Sequence, residues 1–264
     1  MARCQLSLAA VISAVLVANA TGQTPQQVDL RALTVLSNAL AATGWTAAQL
    51  PTDAVVTGEY VRISEGVERT FPATFEIKGT RRFKMTSEPG ISLTLNDKQA
   101  VVQSSEGAWE IPPHSALSMR PLPLPMFTEI PSVSAAAFEI QYLGADVVEG
   151  ESCDQLLIQP TLDPILGEDD LGRRAGRLKV WISQKTNLPV KMEYVRLADS
   201  NPGVTLEHTV RFSDYRITGA ILVPFQLEES VLGRLLYKFR ITSVQFNVGL
   251  LDSDFDIAQS QGTN

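Results

Sequence analysis

Cysteine and histidine are scarce in this chain of 264 residues, with two of each, and the scarcity removes whole classes of chemistry. No His-Glu-x-x-His, paired-cysteine, glycine-rich phosphate or Gly-x-Ser-x-Gly arrangement occurs. A serine or cysteine nucleophile would need His114 or His208 as its base, and neither histidine falls in such a motif, so both read as ordinary surface or strand-end residues. The Asp and Glu residues are scattered, and no spacing among them selects a carboxylate pair for glycoside chemistry. The expectation is a protein that is not an enzyme and carries no cofactor and no metal. Basic runs interleaved with aromatics are also missing, and the formal charge is −7, which argues against a nucleic-acid partner.

The amino terminus is separable from the rest. Arg3 gives a short positive start, Leu6 to Val17 an apolar run too short to span a bilayer, and Ala18-Asn19-Ala20 a small-x-small site, together the pattern of a secretory signal peptide. Cleavage after Ala20 would leave 264 − 20 = 244 residues and, with Arg3 gone, a charge of −8. Cys4 precedes the apolar run and is badly placed for lipid modification, so the mature protein is expected to be soluble, periplasmic or secreted, and monomeric. Only Cys153 would remain, which excludes an intrachain disulfide even in an oxidising compartment. Cys153 reads either as an intermolecular or redox thiol or as a semi-buried small residue beside Leu156-Leu157-Ile158. The divisions are a signal peptide over 1–20, a polar leader over 21–28, one β domain over 29–257 and a polar tail over 258–264.

Within that domain the dominant period is two. Leu178, Val180 and Ile182 alternate with Lys179 and Ser183, and Gln184 to Pro189 turn the chain. Val190, Met192 and Tyr194 then alternate with Lys191 and Glu193, as half-buried antiparallel strands require. A third run passes through Val210, Phe212, Tyr215 and Ile217, turns at Thr218-Gly219, and leaves as Ile221, Val223 and Phe225; a last one sets Tyr237, Phe239 and Ile241 against Lys238 and Arg240. Val55 to Ile111 gives a meander of further short strands, and Phe138 to Ile158 gives more. One helix is expected, capped by Asp29, with Leu30, Leu33, Leu36 and Leu40 at three-to-four spacing up to Ala42 and Gly44 as its stop. Leu162 to Arg177 gathers Asp163, Glu168, Asp169 and Asp170 beside three arginines; the spacing matches no calcium loop, and a solvated, self-neutralising hairpin end accounts for it better.

The order VWISQKTNLPVKMEYV, RFSDYRITGAILVPFQLEE and YKFRITSVQFNVGLLDSDFDI resembles the carboxy-terminal half of LolA/LolB-like proteins, the periplasmic lipoprotein carriers and their relatives, which include sensors of the RseB type. The shared pattern is a strand, a polar turn ending in Leu-Pro, a strand, a D-Y-R-x-x-G-x-x-x-P hairpin, and a last strand followed by an acidic turn and Phe. The resemblance implies a mainly β protein: a strongly curved antiparallel sheet, an open or half barrel of about 10–11 strands, with helical lids. It implies a ligand that is an acyl chain, a lipid or a lipidated protein, or a membrane-associated partner. It also implies an arginine reaching from the sheet to pin the lid, for which Arg62 and Arg82 are the candidates.

A sheet of that size curls because it twists, and its apolar face then encloses a hollow or a filled core. The residues large enough to wall or to fill it are Phe71, Phe75, Phe83, Met85, Phe138, Tyr142, Met192, Tyr194, Tyr237 and Phe239. Pro112 to Pro131 is a different texture, six prolines among large apolar residues. It cannot be a central strand and is too apolar for a solvated linker. Leu122, Leu124, Met126, Phe127 and Ile130 are therefore read either as a loop packed permanently on the barrel or as a mobile lid over its mouth.

Overall fold

A computed structural model describes residues 29–44, 51–64, 66–97, 99–120, 123–124, 138–160 and 175–257. The signal peptide, leader and tail, the charged loop up to Arg174, and Leu122, Met126, Phe127 and Ile130 lie outside the described residues.

The alternating runs are strands. In chain order they are β1 (Asp53–Ser64), β2 (Val67–Lys78), β3 (Arg82–Ser87), β4 (Ile91–Asn96), β5 (Gln99–Ser104), β6 (Gly107–Ile111), β7 (Phe138–Val148), β8 (Glu151–Pro160), β9 (Leu178–Ser183), β10 (Pro189–Ala198), β11 (Asn201–Thr218), β12 (Ile221–Val231) and β13 (Arg234–Phe246). They form one antiparallel sheet in the order β6-β5-β4-β3-β2-β1-β13-β12-β11-β10-β9-β8-β7. Two meanders thus run outward from a shared seam where the first strand pairs with the last. Thirteen strands exceed the ten or eleven expected, and the sheet stays open, with β6 and β7 as its edges.

Two helices complete the described chain, α1 (Leu30–Thr43) and α2 (Pro113–Leu117). In α1, Ala32, Leu36 and Ala39 are buried in the core of the sheet's inner face. Asp29 caps it, accepting from the amides of Arg31 and Ala32 at 3.0 Å, and its other oxygen accepts from the Tyr142 amide of β7 at 2.8 Å. One carboxylate therefore satisfies both a helix end and a donor of an edge strand. Gly44 ends the helix at φ 79°, where a Cβ would stand 2.3 Å from the Ala220 carbonyl oxygen, so only glycine fits both the turn and the close approach.

The five-residue α2 starts at Pro113, where the missing N–H costs nothing. It packs on both β5 and β10, eight strand spacings apart in the order above. Flat, those strands would lie about 38 Å apart at ~4.8 Å per spacing, whereas a helix of this length spans about 7.5 Å. The sheet must therefore curl until its two wings face each other across α2. Gly58 helps: β1 shifts register there against β13, and a Cβ would meet the Arg240 carbonyl oxygen at 2.2 Å. After β13 a short 3₁₀ turn, Asp252–Phe255, brings Asp252 to Lys78 at 2.7 Å and Arg82 at 2.8 Å and buries Phe255.

Three expectations need correction. Ile217 does not continue the buried face of β11. Asp214 adopts φ 54° and breaks the alternation, leaving Ile217 75% exposed. Neither Arg62, which is exposed, nor Arg82, which pairs with Asp97 and Asp252, reaches the segment they were expected to pin. His208 is no surface residue, being 3% exposed. Cys153 is fully buried, its thiol donating to the Glu151 carbonyl.

Candidate functional site

Arg81, in the turn between β2 and β3, is the arginine that holds the proline-rich segment. Its guanidinium donates to the carbonyls of Ala116, Leu117 and Met119, each at 3.1 Å, and to Asp97 at 2.7 and 3.2 Å. Two of these carbonyls belong to the last turn of α2 and the third follows its C-cap; carbonyls at a helix end have few internal partners, and a cation suits that end. From the opposite wing β10 completes the attachment. Ser115 Oγ donates to the Leu197 carbonyl at 3.1 Å, the Leu197 amide donates to Ser118 Oγ at 3.1 Å, and His114 Nε2 lies 3.0 Å from the Ala198 carbonyl. Ala116, Met119 and Leu124 point into the core beneath.

Under this bridge lies a cavity of about 200 Å³, lined by Tyr60, Phe75, Phe83, Met85, Leu93, Met119, Arg120, Tyr194, Arg196, His208, Glu229, Leu236 and Tyr237. Of the residues expected to wall a hollow, Phe75, Phe83, Met85, Tyr194 and Tyr237 border it. Met192 and Phe239 are buried and fill the core, Phe239 edge-on to Phe75 at 4.9 Å between centroids. Phe71, Phe138 and Tyr142 are half-buried elsewhere and do not line it. Tyr142 is occupied at the β7 edge, where its hydroxyl donates to Asp154 and accepts from Arg31, both at 2.8 Å. Leu124, the described part of the expected lid, is buried in the same core as the cavity-lining Met119.

The floor of the cavity is polar, which the alternation alone did not disclose. Glu229, 3% exposed, accepts from the Tyr194 hydroxyl at 2.6 Å, and His208 Nδ1 stands 2.5 Å from the same oxygen. Tyr237, opposite Glu229 on β13, also helps to hold this carboxylate in its charged form. The ring of Tyr60 lies 4.8 Å from that of Tyr237. Strand pairing explains the gathering: Tyr194 is opposite His208, Val210 opposite Glu229, and Glu229 opposite Tyr237, so adjacent strands present these groups at one level. Burial pushes the Glu229 carboxyl up, but donation from His208, the charge of that ring, and donation from Tyr194, with a smaller contribution from Tyr237, outweigh it and hold the group below its ordinary value. Burial and the Glu229 charge push Tyr60 up to about 12 and raise Tyr194 and Tyr237 well above the phenol range.

The remaining lining is divided. Apolar side chains of β2, β3 and β4 form one wall, and Leu236, 41% exposed, stands at the rim. Arg120, on the chain leaving α2, donates to the Ala175 carbonyl at 3.0 Å and lies 5.7 Å above the Tyr194 ring. Arg196 shares the inner face of β10 with Met192 and Tyr194 and makes no hydrogen bond or ion pair among the described residues. Among the described residues no three His, Cys, Asp or Glu side chains gather to hold a metal. The arrangement can take up a small apolar group and offers it hydrogen-bonding and cationic partners.

No family model matches the sequence, and no curated protein matches it. Solved structures do match its fold. An outer membrane lipoprotein-sorting domain protein from Vibrio parahaemolyticus aligns over 85% of this chain and 97% of its own, with a TM-score of 0.55 and 13% identity. A LolA superfamily protein from Nitrosomonas europaea aligns over 86% and 97%, with a TM-score of 0.54 and 14% identity. A DUF1329 family protein from Desulfovibrio piger aligns over 85% and 97%, with the same score and identity. The chain thus has a LolA-like fold, distant in sequence.

Proposed function

We propose that this LolA-like protein is exported through a signal peptide over residues 1–20 and works by binding: it holds an acyl chain, or the acyl part of a lipid or lipidated protein, against the inner face of its sheet. One observation carries the reading, the apolar-walled cavity roofed at Met119 and Arg120 by the segment leaving α2, a helix attached at two points instead of being continuous with the sheet. A roof held by side-chain hydrogen bonds opens at lower free energy than a strand ladder. Solved structures that share its fold include proteins called lipoprotein-sorting and LolA superfamily, which supports binding over catalysis. Among the described residues that line the cavity there is no Ser, Thr or Cys.

A second reading is favoured by the packing itself. Met192, Phe225, Leu227 and Phe239 fill much of the inner face, and about 200 Å³ is below the ~300–1,000 Å³ of sites that enclose a drug-sized ligand. On that reading the protein is an envelope sensor or interaction scaffold without a small ligand. Native mass spectrometry and lipid extraction of the mature protein separate the two. Co-purified lipid at fixed stoichiometry, or displacement of an apolar dye by fatty acids, supports the binder. A clean apo spectrum with no displacement leaves the scaffold.

A further inference from the structure

The two cations of the cavity have no place in a site built for hydrocarbon alone. Arg196 projects from the inner face of β10, one residue before Leu197, to which α2 is hydrogen-bonded. Arg120 follows Met119, whose carbonyl Arg81 holds. Both guanidinium groups therefore stand along the seam between roof and sheet. Arg81 and Arg82, half-buried like Arg196, are each bonded to protein acceptors, whereas Arg196 has no hydrogen bond or ion pair among the described residues. Among the described lining residues the one acid is Glu229, which is engaged by His208 and Tyr194 and so is poorly placed to serve Arg196. A guanidinium partly withdrawn from water gains most from a carboxylate or phosphate that its planar fork can grip.

The apolar wall lies on the other wing. Phe75, Phe83, Met85 and Leu93 come from β2, β3 and β4, while the arginines come from β10 and the segment after α2. The cavity is thus polar at the seam and apolar across from it, and its size suits one chain in preference to a bundle of two or three.

We propose that the cavity binds a single-chain amphiphile with an anionic head group, the carboxylate or phosphate held by Arg196 with Arg120 and the tail laid against Phe75, Phe83, Met85 and Leu93. This rests on the binding reading above and adds the head-group class to it. An anion at the seam would also join α2's exit to β10, so ligand and roof would stabilise each other.

The test is competition against N-phenylnaphthylamine, an uncharged dye, by decanoate, decyl phosphate and decanol, on the mature protein and on Arg196→Gln, Arg196→Lys and Arg120→Gln. The expected result is that decanoate or decyl phosphate competes about tenfold or more better than decanol, that Arg196→Gln removes this preference while decanol binding persists, and that Arg196→Lys keeps part of it. Which of the two anions wins distinguishes a free fatty acid from a phosphate-bearing lipid as the source. Equal competition by decanol overturns the head-group assignment and leaves apolar binding standing. A preference that survives in both Gln variants overturns the role of the arginines. If no decyl compound displaces the dye, the binding reading itself falls and this inference with it. Should a variant fail to fold, the comparison of decanoate with decanol on the unaltered protein still decides.

Discussion

Replacing Arg81 with alanine should loosen the roof of the cavity without unfolding the sheet. To described residues the guanidinium makes five hydrogen bonds, three of them to carbonyls of α2 and the residues just after it. Hydrogen bonds to a charged group contribute about 1.5–3 kcal/mol each when taken singly, and bonds from one group are far from additive. A loss of about 3 kcal/mol at α2 is a reasonable sum, equivalent to roughly a 150-fold shift toward the open state. Arg81→Lys should recover little of it, since one ammonium cannot replace a planar fork that spans the Asp97, Ala116, Leu117 and Met119 carbonyls. Hydrogen exchange followed by mass spectrometry is the direct assay. Exchange of the Ser115, Ala116, Ser118 and Met119 amides should rise by one to two orders of magnitude, while peptides from β1, β2 and β13 keep their protection. Dye uptake should quicken in parallel. The reasoning is refuted if α2 exchanges as in the parent protein, or if every strand loses protection together, because Arg81 would then support the fold as a whole and not the roof.

Two further outcomes are expected. Glu229→Gln replaces the charged acceptor shared by Tyr194 and His208 with a neutral amide and should cost about 2–4 kcal/mol, lowering Tm by roughly 5–15 °C. The folded carboxyl sits below its ordinary 4.5, so its stabilisation is complete above that pH and is lost as pH falls through the folded value; Tm of the parent should decline between pH 6 and 3 more steeply than that of the variant, and parallel profiles would exclude this role. Asp29→Ala should cost about 1–2 kcal/mol through loss of the α1 cap and should speed exchange at Tyr142 as well as at Arg31 and Ala32. Faster exchange confined to α1 would show that the link to β7 carries no stability.

Strand positions were legible in the sequence because a half-buried strand writes its burial as a period of two, and α1 because Asp29 and Gly44 are chemically suited to its ends. The cavity was legible only in part. Phe75, Phe83 and Met85 follow from phase alone, but the polar floor needs registers that no single strand contains. Glu229 continues the inward series Phe225, Leu227 on β12, and His208 precedes Val210 and Phe212 on β11. Each is in the phase of apolar residues, and that was the available signal. It was masked because Glu228 precedes Glu229 and Glu207 precedes His208, so each pair looks like a solvated patch in either phase. The same adjacency hid Arg81. With Arg82 beside it, sequence could not tell which cation turns inward toward α2 and which outward to Asp252; the turn geometry decides.

The unequal legibility reflects two kinds of stabilisation. Apolar burial is non-directional, so the wall contributed by β2 to β4 tolerates any large side chain in phase. The floor is directional. Glu229 is buried only because Tyr194, His208 and Tyr237 arrive from three other strands at the right level, and a slip of one residue in any of those pairings would turn the partner to the opposite face and leave a buried carboxylate without donors, at a cost of several kcal/mol. The polar row therefore specifies the register of β10 to β13, and it also keeps the bottom of the cavity from collapsing, since these bonded side chains cannot shift inward singly. Roof and floor are then of different character: the floor is fixed by a network crossing the central strands, while the roof is a five-residue helix attached by Arg81 on one wing and by Ser115 and Ser118 on the other. On the binding reading, a ligand that enters past α2 has to deform the roof, and the strength of the Arg81 contacts, more than the cavity volume at rest, would then set its access.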